Sequence, residues 1–179
     1  MSQRFSVASE PQGQRLLGLP PIVSSNTRLL ILGSFPGITS LKKQQYYGHP
    51  QNQFWHILQA IFGSSPRGIS ACSYEERSEW LLAKGLGVWD VYASCERAGS
   101  LDTAIRHPLV NDFSALLLQC PQLRLIAHNG GESFRSAKHT ASLGLPVLKL
   151  PSTSPANASW SFERKLAAWR EAVLAAGLI

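Results

Sequence analysis

The residues whose types and spacing suit chemistry are concentrated in segments rich in Gly, Pro, Ser and Asn, at 33–37, 94–100, 128–131 and 151–157. The first of these, GSFPG, predicts a rigid turn at which the backbone can approach a ligand closely. It is neither a dinucleotide fingerprint nor a P-loop, because it lacks both GxGxxG and GK[ST]. Ser34 does not stand in a GxSxG elbow, so hydrolysis through a serine nucleophile is unsupported.

A second polar segment, residues 45–55, reads QYYGHPQNQFW and combines two tyrosines, a His-Pro turn and an Asn. Asn52 lies directly before an amphipathic stretch, where an Asn can cap a helix. On that interpretation Phe54 and Trp55 belong to the core and the tyrosines fill the loop. The same residue types also suit a ligand site, so both interpretations of Asn52 stay open.

Short apolar stretches alternating with amphipathic ones predict an α/β fold. We expect strands at 28–32, 86–92, 123–127 and 147–150 and a long loop at 93–109. Helices are expected at 54–62, 73–84 (from a capping box at Ser73 and Glu76), 112–119 and 162–173, with a short one after Gly131. In a parallel sheet, ligands bind beyond the carboxyl ends of the strands. The four segments rich in Gly, Pro, Ser and Asn leave those ends, so they mark the expected active edge.

Composition limits the class of protein. The 179 residues are 44% hydrophobic, which is enough for a core. We expect one domain at 21–179, preceded by a loose arm at 1–20. Lys and Arg outnumber Asp and Glu by 17 to 11, for a net charge of +6, which favours nucleic acid as partner. No apolar run suggests a membrane span or a signal peptide. The three cysteines contain no CxxC pair and so give no metal motif; we expect them to be free thiols in a reducing cytoplasm.

Residues 33–37 and 45–55 together resemble motif 1 of the uracil-DNA glycosylase superfamily. In its mismatch-specific branch a GxNPG turn is followed, at the same separation, by an aromatic-x-HPxNxFW segment. The likeness is closest to the hypoxanthine-DNA glycosylase branch, whose pattern reads much like GSFPG followed by QQYYGHPQNQFW. Residues 86–102 and the LPSTSPAN segment at 150–157, in the place of motif 2, are similar to the same branch.

The resemblance implies a single-domain three-layer sandwich with a central, mostly parallel four-stranded sheet. It implies a monofunctional DNA glycosylase that flips a deaminated base, hypoxanthine by preference, out of the DNA and hydrolyses its N-glycosidic bond. Water is the second substrate, no cofactor or metal is expected, and the partner is DNA that contains the deaminated base. We expect a monomer in the cytoplasm, associated with the nucleoid if the source is bacterial. The alternatives are a uracil-DNA glycosylase of the same fold and a non-catalytic nucleic-acid-binding module.

The resemblance also assigns site residues. By position, Tyr47 matches the residue that stacks on the flipped base, and Asn52 is the leading catalytic candidate because a neutral amide can orient water or bond the leaving base. The other base-binding candidates are Gly33, Ser34, Phe35, Pro36, Gly37 and Asn129. Residues of the motif 2 segment are predicted to bind DNA phosphates: Ser152, Thr153, Ser154, Pro155 and Asn157. Arg97 and Lys149 are expected to add positive charge near them.

Some positions depart from the pattern of relatives. Phe35 stands where the mismatch-specific branch has the Asn that positions water, and Leu150 stands where the classical branch has a His. Ser154 takes the place of a wedge leucine. Because Phe35 and Leu150 are apolar, we expect Asn52 to orient the water or to bond the leaving base in their place. His49 and His128 are predicted to be structural, and Asp90 to be hydrogen-bonded scaffold or a loop anchor. Asp102 is predicted to hold the loop at 94–100. Without a Lys in motif 1, a Schiff-base step is not expected.

Overall fold

The computed structural model describes residues 14–63 and 68–179, and its centre is a sheet of four parallel strands. The strands of this central sheet run in the order β3-β2-β6-β7, where β2 is Leu29–Gly33, β3 is Leu86–Asp90, β6 is Leu125–Asn129 and β7 is Val147–Leu150. Strand β2 is buried along its whole length, as expected of a parallel strand covered on both faces. The predicted four-stranded sheet is confirmed, with β2 beginning one residue later than expected and β6 two residues later.

A second sheet, which the sequence did not predict, has three antiparallel strands in the order β1-β4-β5. Its members are β1 (Arg15–Leu17), β4 (Tyr92–Glu96) and β5 (Arg106–Val110). The strand predicted at 86–92 is therefore divided between two sheets, and the loop predicted at 93–109 was wrong. The loose arm was wrong for the part described here, because β1 pairs with β4 and Leu19 is buried in the core. The rest of that arm, residues 1–13, lies outside the described residues.

Helices cover both faces of the central sheet. They are α1 (Ile38–Lys43), α2 (Phe54–Phe62), α3 (Tyr74–Ala83), α4 (Leu116–Gln119), α5 (Gly131–Phe134), α6 (Ala137–Ala141) and α7 (Phe162–Ala175). One core cluster joins the sheet to α2, α3 and α7, while the other joins it to α4 and the second sheet. The result is the three-layer sandwich that was expected. Among the described residues, no helix is both long and apolar enough to cross a membrane.

Local sequence signals explain where two of the long helices begin. The Ser73 hydroxyl accepts a hydrogen bond from the Glu76 N–H (3.1 Å), and the Glu76 carboxylate accepts one from the Ser73 N–H (2.8 Å), which confirms the predicted capping box before α3. Helix α7 begins where Ser161 accepts from the Arg164 N–H. Its apolar face then buries Trp169 against Phe54 of α2, with ring centroids 5.8 Å apart. This contact orients the start of α2 toward the carboxyl edge of the sheet.

Candidate active site

The carboxyl ends of β2, β3, β6 and β7 open into a cavity of about 1160 Å³, which is more than enough room for a nucleobase. The loop after β4 contributes residues 100–103, which replace most of the predicted 94–100 segment. Apart from Arg97, all candidates for catalysis, base binding and DNA binding line this cavity: Gly33, Ser34, Phe35, Pro36, Gly37, Tyr47, Asn52, Asn129, Lys149, Ser152, Thr153, Ser154, Pro155 and Asn157. The structure therefore brings together residues that are up to 124 positions apart in the chain (33 to 157).

The turn after β2 is held from one side by two charged residues. The Ser34 hydroxyl donates a 2.6 Å hydrogen bond to Asp102, which thus anchors its loop to the turn. The Arg97 guanidinium donates to the Pro36 and Gly99 carbonyls, and its Cζ lies 5.2 Å from the centre of the Phe35 ring. Because this guanidinium is committed to the turn and does not line the cavity, the expectation that Arg97 adds charge for phosphate binding does not fit the structure.

Tyr47 lies at the bottom of the cavity with one face of its ring already covered. The ring stacks on Phe54 with centroids 3.9 Å apart and planes inclined by 20°, so only the opposite face is available to a flipped base. The phenol oxygen accepts a 3.1 Å hydrogen bond from Asn129 Nδ2. Burial, together with the nearby Asp90, raises the pKa of Tyr47, so the phenol is protonated at neutral pH.

Asn129, at the end of β6, connects three parts of the site. Its Nδ2 also donates to Thr153 Oγ1 (2.9 Å), and its Oδ1 accepts from the Thr153 N–H (3.0 Å). The Thr153 carbonyl in turn accepts from the Gln53 N–H at the start of α2. Both N–H groups of Asn129 are thus occupied, which leaves the second lone pair of Oδ1 for a base. Thr153 is fully buried with its hydroxyl bonded, so the predicted phosphate contact does not fit it.

Asn52 acts as a helix cap in the structure. Its Oδ1 accepts a 3.0 Å hydrogen bond from the Phe54 N–H, the first residue of α2. Gln53 intervenes and makes no side-chain cap of its own. The amide is half-buried and lines the cavity. Since the cap uses only the oxygen, it does not exclude a ligand contact through Nδ2.

The motif 2 loop is stiffened by its own side chains. The Ser152 hydroxyl accepts from the Ser154 N–H (3.2 Å), and Asn157 Nδ2 donates to the Ser152 carbonyl (3.1 Å). Gly130 lets this loop approach β6: its φ is +105°, and a Cβ there would lie 3.0 Å from Ser152 Cβ. The loop therefore presents Ser154 and Asn157 at the mouth of the cavity without much freedom to move.

Asp90 is a residue of the cavity lining that the sequence did not predict. It was expected to be hydrogen-bonded scaffold, but its Oδ2 is buried and has no hydrogen-bond partner among the described residues. The side chain is only 4% exposed and lines the cavity. Burial and, to a smaller extent, Asp102 raise the pKa of Asp90 to about 8, and Arg97 offsets part of this rise. The feature that could have predicted this position is that Gly33 and Asp90 each end a parallel strand, where they pair with each other.

Both histidines singled out in the sequence make contacts of a structural kind. His128 is fully buried, with Nδ1 2.8 Å from Ser133 Oγ and Nε2 2.9 Å from Thr140 Oγ1. Burial lowers its pKa to about 4, so it is neutral at pH 7, and its predicted structural role is confirmed. His49 is exposed at the cavity, where its Nδ1 accepts from the Gln51 N–H. Within the described residues, no cluster of three or more His, Cys, Asp or Glu could hold a metal ion.

Comparison with known proteins supports this fold. Residues 20–173 match the Uracil DNA glycosylase superfamily, and the chain belongs to that family. A hypoxanthine DNA glycosylase of Methanosarcina barkeri is 39% identical over 155 residues, covering 87% of this chain and 96% of the relative. One of Methanosarcina acetivorans is 37% identical over 148 residues, covering 83% and 92%. A solution NMR structure from M. acetivorans, provisionally named a uracil DNA glycosylase, superposes with a TM-score of 0.77 at 35% identity, covering 88% and 98%.

Proposed function

We propose that this DNA glycosylase excises hypoxanthine, by hydrolysing the N-glycosidic bond of deoxyinosine in DNA. Membership of the superfamily supports the reaction, and the two relatives that cover most of the chain are hypoxanthine DNA glycosylases. The observation that carries the proposal is the single cavity that unites the open face of Tyr47, the Asn52 amide and the turn at 33–37. A base taken out of a duplex needs such a partly aromatic pocket.

The lining of the pocket suits a planar base. The ring stacks on the face of Tyr47 that Phe54 leaves open. Backbone N–H groups of the 33–37 turn are proposed to meet the base edge, because four of its five carbonyls already accept hydrogen bonds within the protein. Phe35 and Leu150 supply apolar walls. Both side chains are buried in the core, so the walls are rigid. Rigidity favours catalysis, since a pre-formed pocket needs no rearrangement at the moment of reaction.

Asn52 is proposed to act on the water or on the leaving base. As the N-glycosidic bond breaks, its electron pair goes to the base and the sugar becomes oxocarbenium-like. The water oxygen then bonds to the anomeric carbon, and the proton that the water loses neutralises the departing base. The two N–H groups on Nδ2 can hold the attacking water or bond to the base, because the cap engages only Oδ1. The same neutral amide thus keeps the start of α2 in place and faces the reacting atoms.

The DNA backbone is proposed to run along the mouth of the cavity. Ser154, Pro155 and Asn157 lie there on the stiff motif 2 loop, and the exposed Lys149 adds positive charge beside them. The proposal includes action as a monomer, without a metal, in a reducing cytoplasm. Buried thiols at Cys95 and Cys120 are consistent with a reducing compartment.

A base-release panel tests the substrate. Oligonucleotides that carry one deoxyinosine, deoxyuridine, deoxyxanthosine or mismatched thymidine are incubated with the protein, and abasic sites are then cleaved with alkali. We expect cleavage at deoxyinosine. Release of uracil but not of hypoxanthine would support the uracil alternative, and release of none of the bases would support a non-catalytic binding module.

Variants at Asn52 separate catalysis from capping. Asn52→Asp keeps an oxygen for the Phe54 N–H but loses the two N–H donors, so we expect unchanged thermal stability and at least about 100-fold slower base release. Asn52→Ala loses the cap as well and should also unfold more easily, by about 1 kcal/mol. An Asn52→Asp enzyme as fast as the wild type would show that Asn52 serves only as a cap.

A further inference from the structure

In the cavity, the Asp90 carboxyl group lies against the backbone of Gly33, which has no side chain. Gly33 is paired with Asp90 across β2 and β3, and a Cβ on Gly33 would lie only 2.3 Å from Asp90 Oδ1. The same point is 3.5 Å from the Tyr47 hydroxyl oxygen. The carboxyl group therefore occupies the space that a side chain at position 33 would fill, next to the ring on which a base stacks.

This carboxyl group is polar, buried and incompletely bonded. Its Oδ2 is shielded from solvent and has no hydrogen-bond partner among residues 14–63 and 68–179. A buried polar atom without a partner costs about 1–3 kcal/mol, and more if it is charged. Since the residue lines the cavity, a ligand can supply the missing partner.

Burial, and to a smaller extent the negative charge of Asp102, favours the neutral form of Asp90 over the charged form. Tyr46, Tyr47 and Tyr74 surround it from the α1–α2 loop and from α3, and all three are held protonated by burial. Asp102 adds a negative charge from the loop after β4, and the only cation among these neighbours is the Arg97 guanidinium, which is engaged with the 33–37 turn. The pKa of Asp90 is raised to about 8, so most molecules carry the proton at pH 7.

We propose that Asp90 contacts the flipped base directly, by donating a hydrogen bond from its protonated carboxyl group to an acceptor atom of the base. The inference rests on the proposed function and adds a base-contacting residue to it. A deaminated base carries a carbonyl oxygen where the parent base has an amino group, and negative charge grows on the base as it leaves. A neutral carboxylic acid stabilises that charge through its O–H, whereas a carboxylate would repel it.

The pH dependence of base release tests the proposal. Single-turnover rates of the wild type are measured from pH 6 to 10, with Asp90→Asn and Asp90→Leu as variants. The wild-type rate should fall about tenfold per pH unit above pH 8, as Asp90 loses its proton. Asp90→Asn keeps a donor that cannot ionise, so its rate should be within about tenfold of the wild type at pH 7 and should fall much less than the wild-type rate between pH 8 and 9.5. Asp90→Leu should be slower by about 100-fold.

Asp90→Asn also provides a control for the substrate. Hypoxanthine itself loses a proton in alkaline solution, but this effect is common to all the variants. A second control is Asp102→Asn, which removes a neighbouring negative charge, so the fall in rate should begin at a lower pH than in the wild type. Circular dichroism spectra and DNA affinity of each variant establish that the fold is retained.

The outcomes separate this inference from the proposed function. An Asp90→Asn enzyme with the same alkaline fall as the wild type, or an Asp90→Leu enzyme as fast as the wild type, overturns the role of Asp90 alone. If the wild type releases uracil or xanthine instead of hypoxanthine, the substrate is wrong but the same pH profiles, measured with that base, still decide on Asp90. Release of no base at all overturns both.

Discussion

Replacing Asp90 with Asn should stabilise the folded protein, by an amount that depends on pH. The pKa of Asp90 rises from 3.8 to about 8 on folding, so the native state binds the proton more tightly than the unfolded chain does. Stability is therefore lost as pH rises from about 4 to about 8 and changes no further above that range. Between pH 4 and pH 7 the free energy of unfolding falls by about 1.4 kcal/mol per pH unit, because only the unfolded chain ionises at this position. Over about three pH units the loss is about 4 kcal/mol. Asn has the shape of the neutral acid and does not incur this cost.

Urea denaturation followed by tryptophan fluorescence measures this difference between pH 4 and 9. We expect nearly equal free energies of unfolding at pH 4 and an advantage of about 4 kcal/mol for Asp90→Asn at pH 7. Asp112→Asn is the matched control, because Asp112 is an exposed carboxylate that accepts from the Ser114 N–H. A difference between Asp90→Asn and wild type that is independent of pH would refute the reasoning, since Asp90 would then titrate alike in the folded and unfolded chains.

Two further predictions concern residues that hold the site together, and a third concerns DNA binding. Asn129→Ala leaves the Thr153 N–H without its buried partner, so the free energy of unfolding should fall by about 2–4 kcal/mol in urea titration, and base release should fall with it. Gly130→Ala combines a positive φ with a 3.0 Å approach to Ser152, and should reduce both stability, by about 2 kcal/mol, and base release. Gly144→Ala, at a φ of +77° with nothing near it, should reduce only stability; equal activity of the two glycine variants would contradict the role of the 130–152 contact. DNA affinity, measured by fluorescence anisotropy, should drop steeply between 50 and 200 mM salt, and a flat response would mean that the net charge of +6 is incidental to binding.

The central sheet could be predicted because its strands carry a strong local signal. Strand β7 was predicted with its observed limits, and β2 with an error of one residue, because both are short apolar runs between turn residues. The second sheet gives no such signal. Strand β5 is largely exposed and contains Pro108, and β1 is only three residues long. Both strands depend on pairing with β4, which is distant in sequence from β1 and close to β5, and periodicity does not report such pairing.

The membership of the site could be predicted, but the partners within it could not. The gathering of the 33–37 turn, Asn129 and the 151–157 segment was expected because parallel strands bring their carboxyl ends to one edge. Tyr47 and Asn52 were added to this edge by the resemblance to motif 1. Composition does not show that Thr153 is buried under Asn129 or that Arg97 turns inward. Asp90 was misjudged because an acidic residue in an apolar strand is usually bonded scaffold, and its open position depends on the register that pairs it with Gly33.

At position 90, Asn would give the more stable protein, whereas Asp gives the stronger hydrogen-bond donor to the base. A cost of about 4 kcal/mol at neutral pH is a large share of the 5–15 kcal/mol typical of a folded domain. Asn would fill the same space without that cost, and what it lacks is the acidic O–H, which donates more strongly to a base that is gaining negative charge. Asp90→Asn should therefore be more stable than the wild type and up to about tenfold slower at pH 7. A variant both more stable and faster would show that the proton on Asp90 contributes nothing to base release.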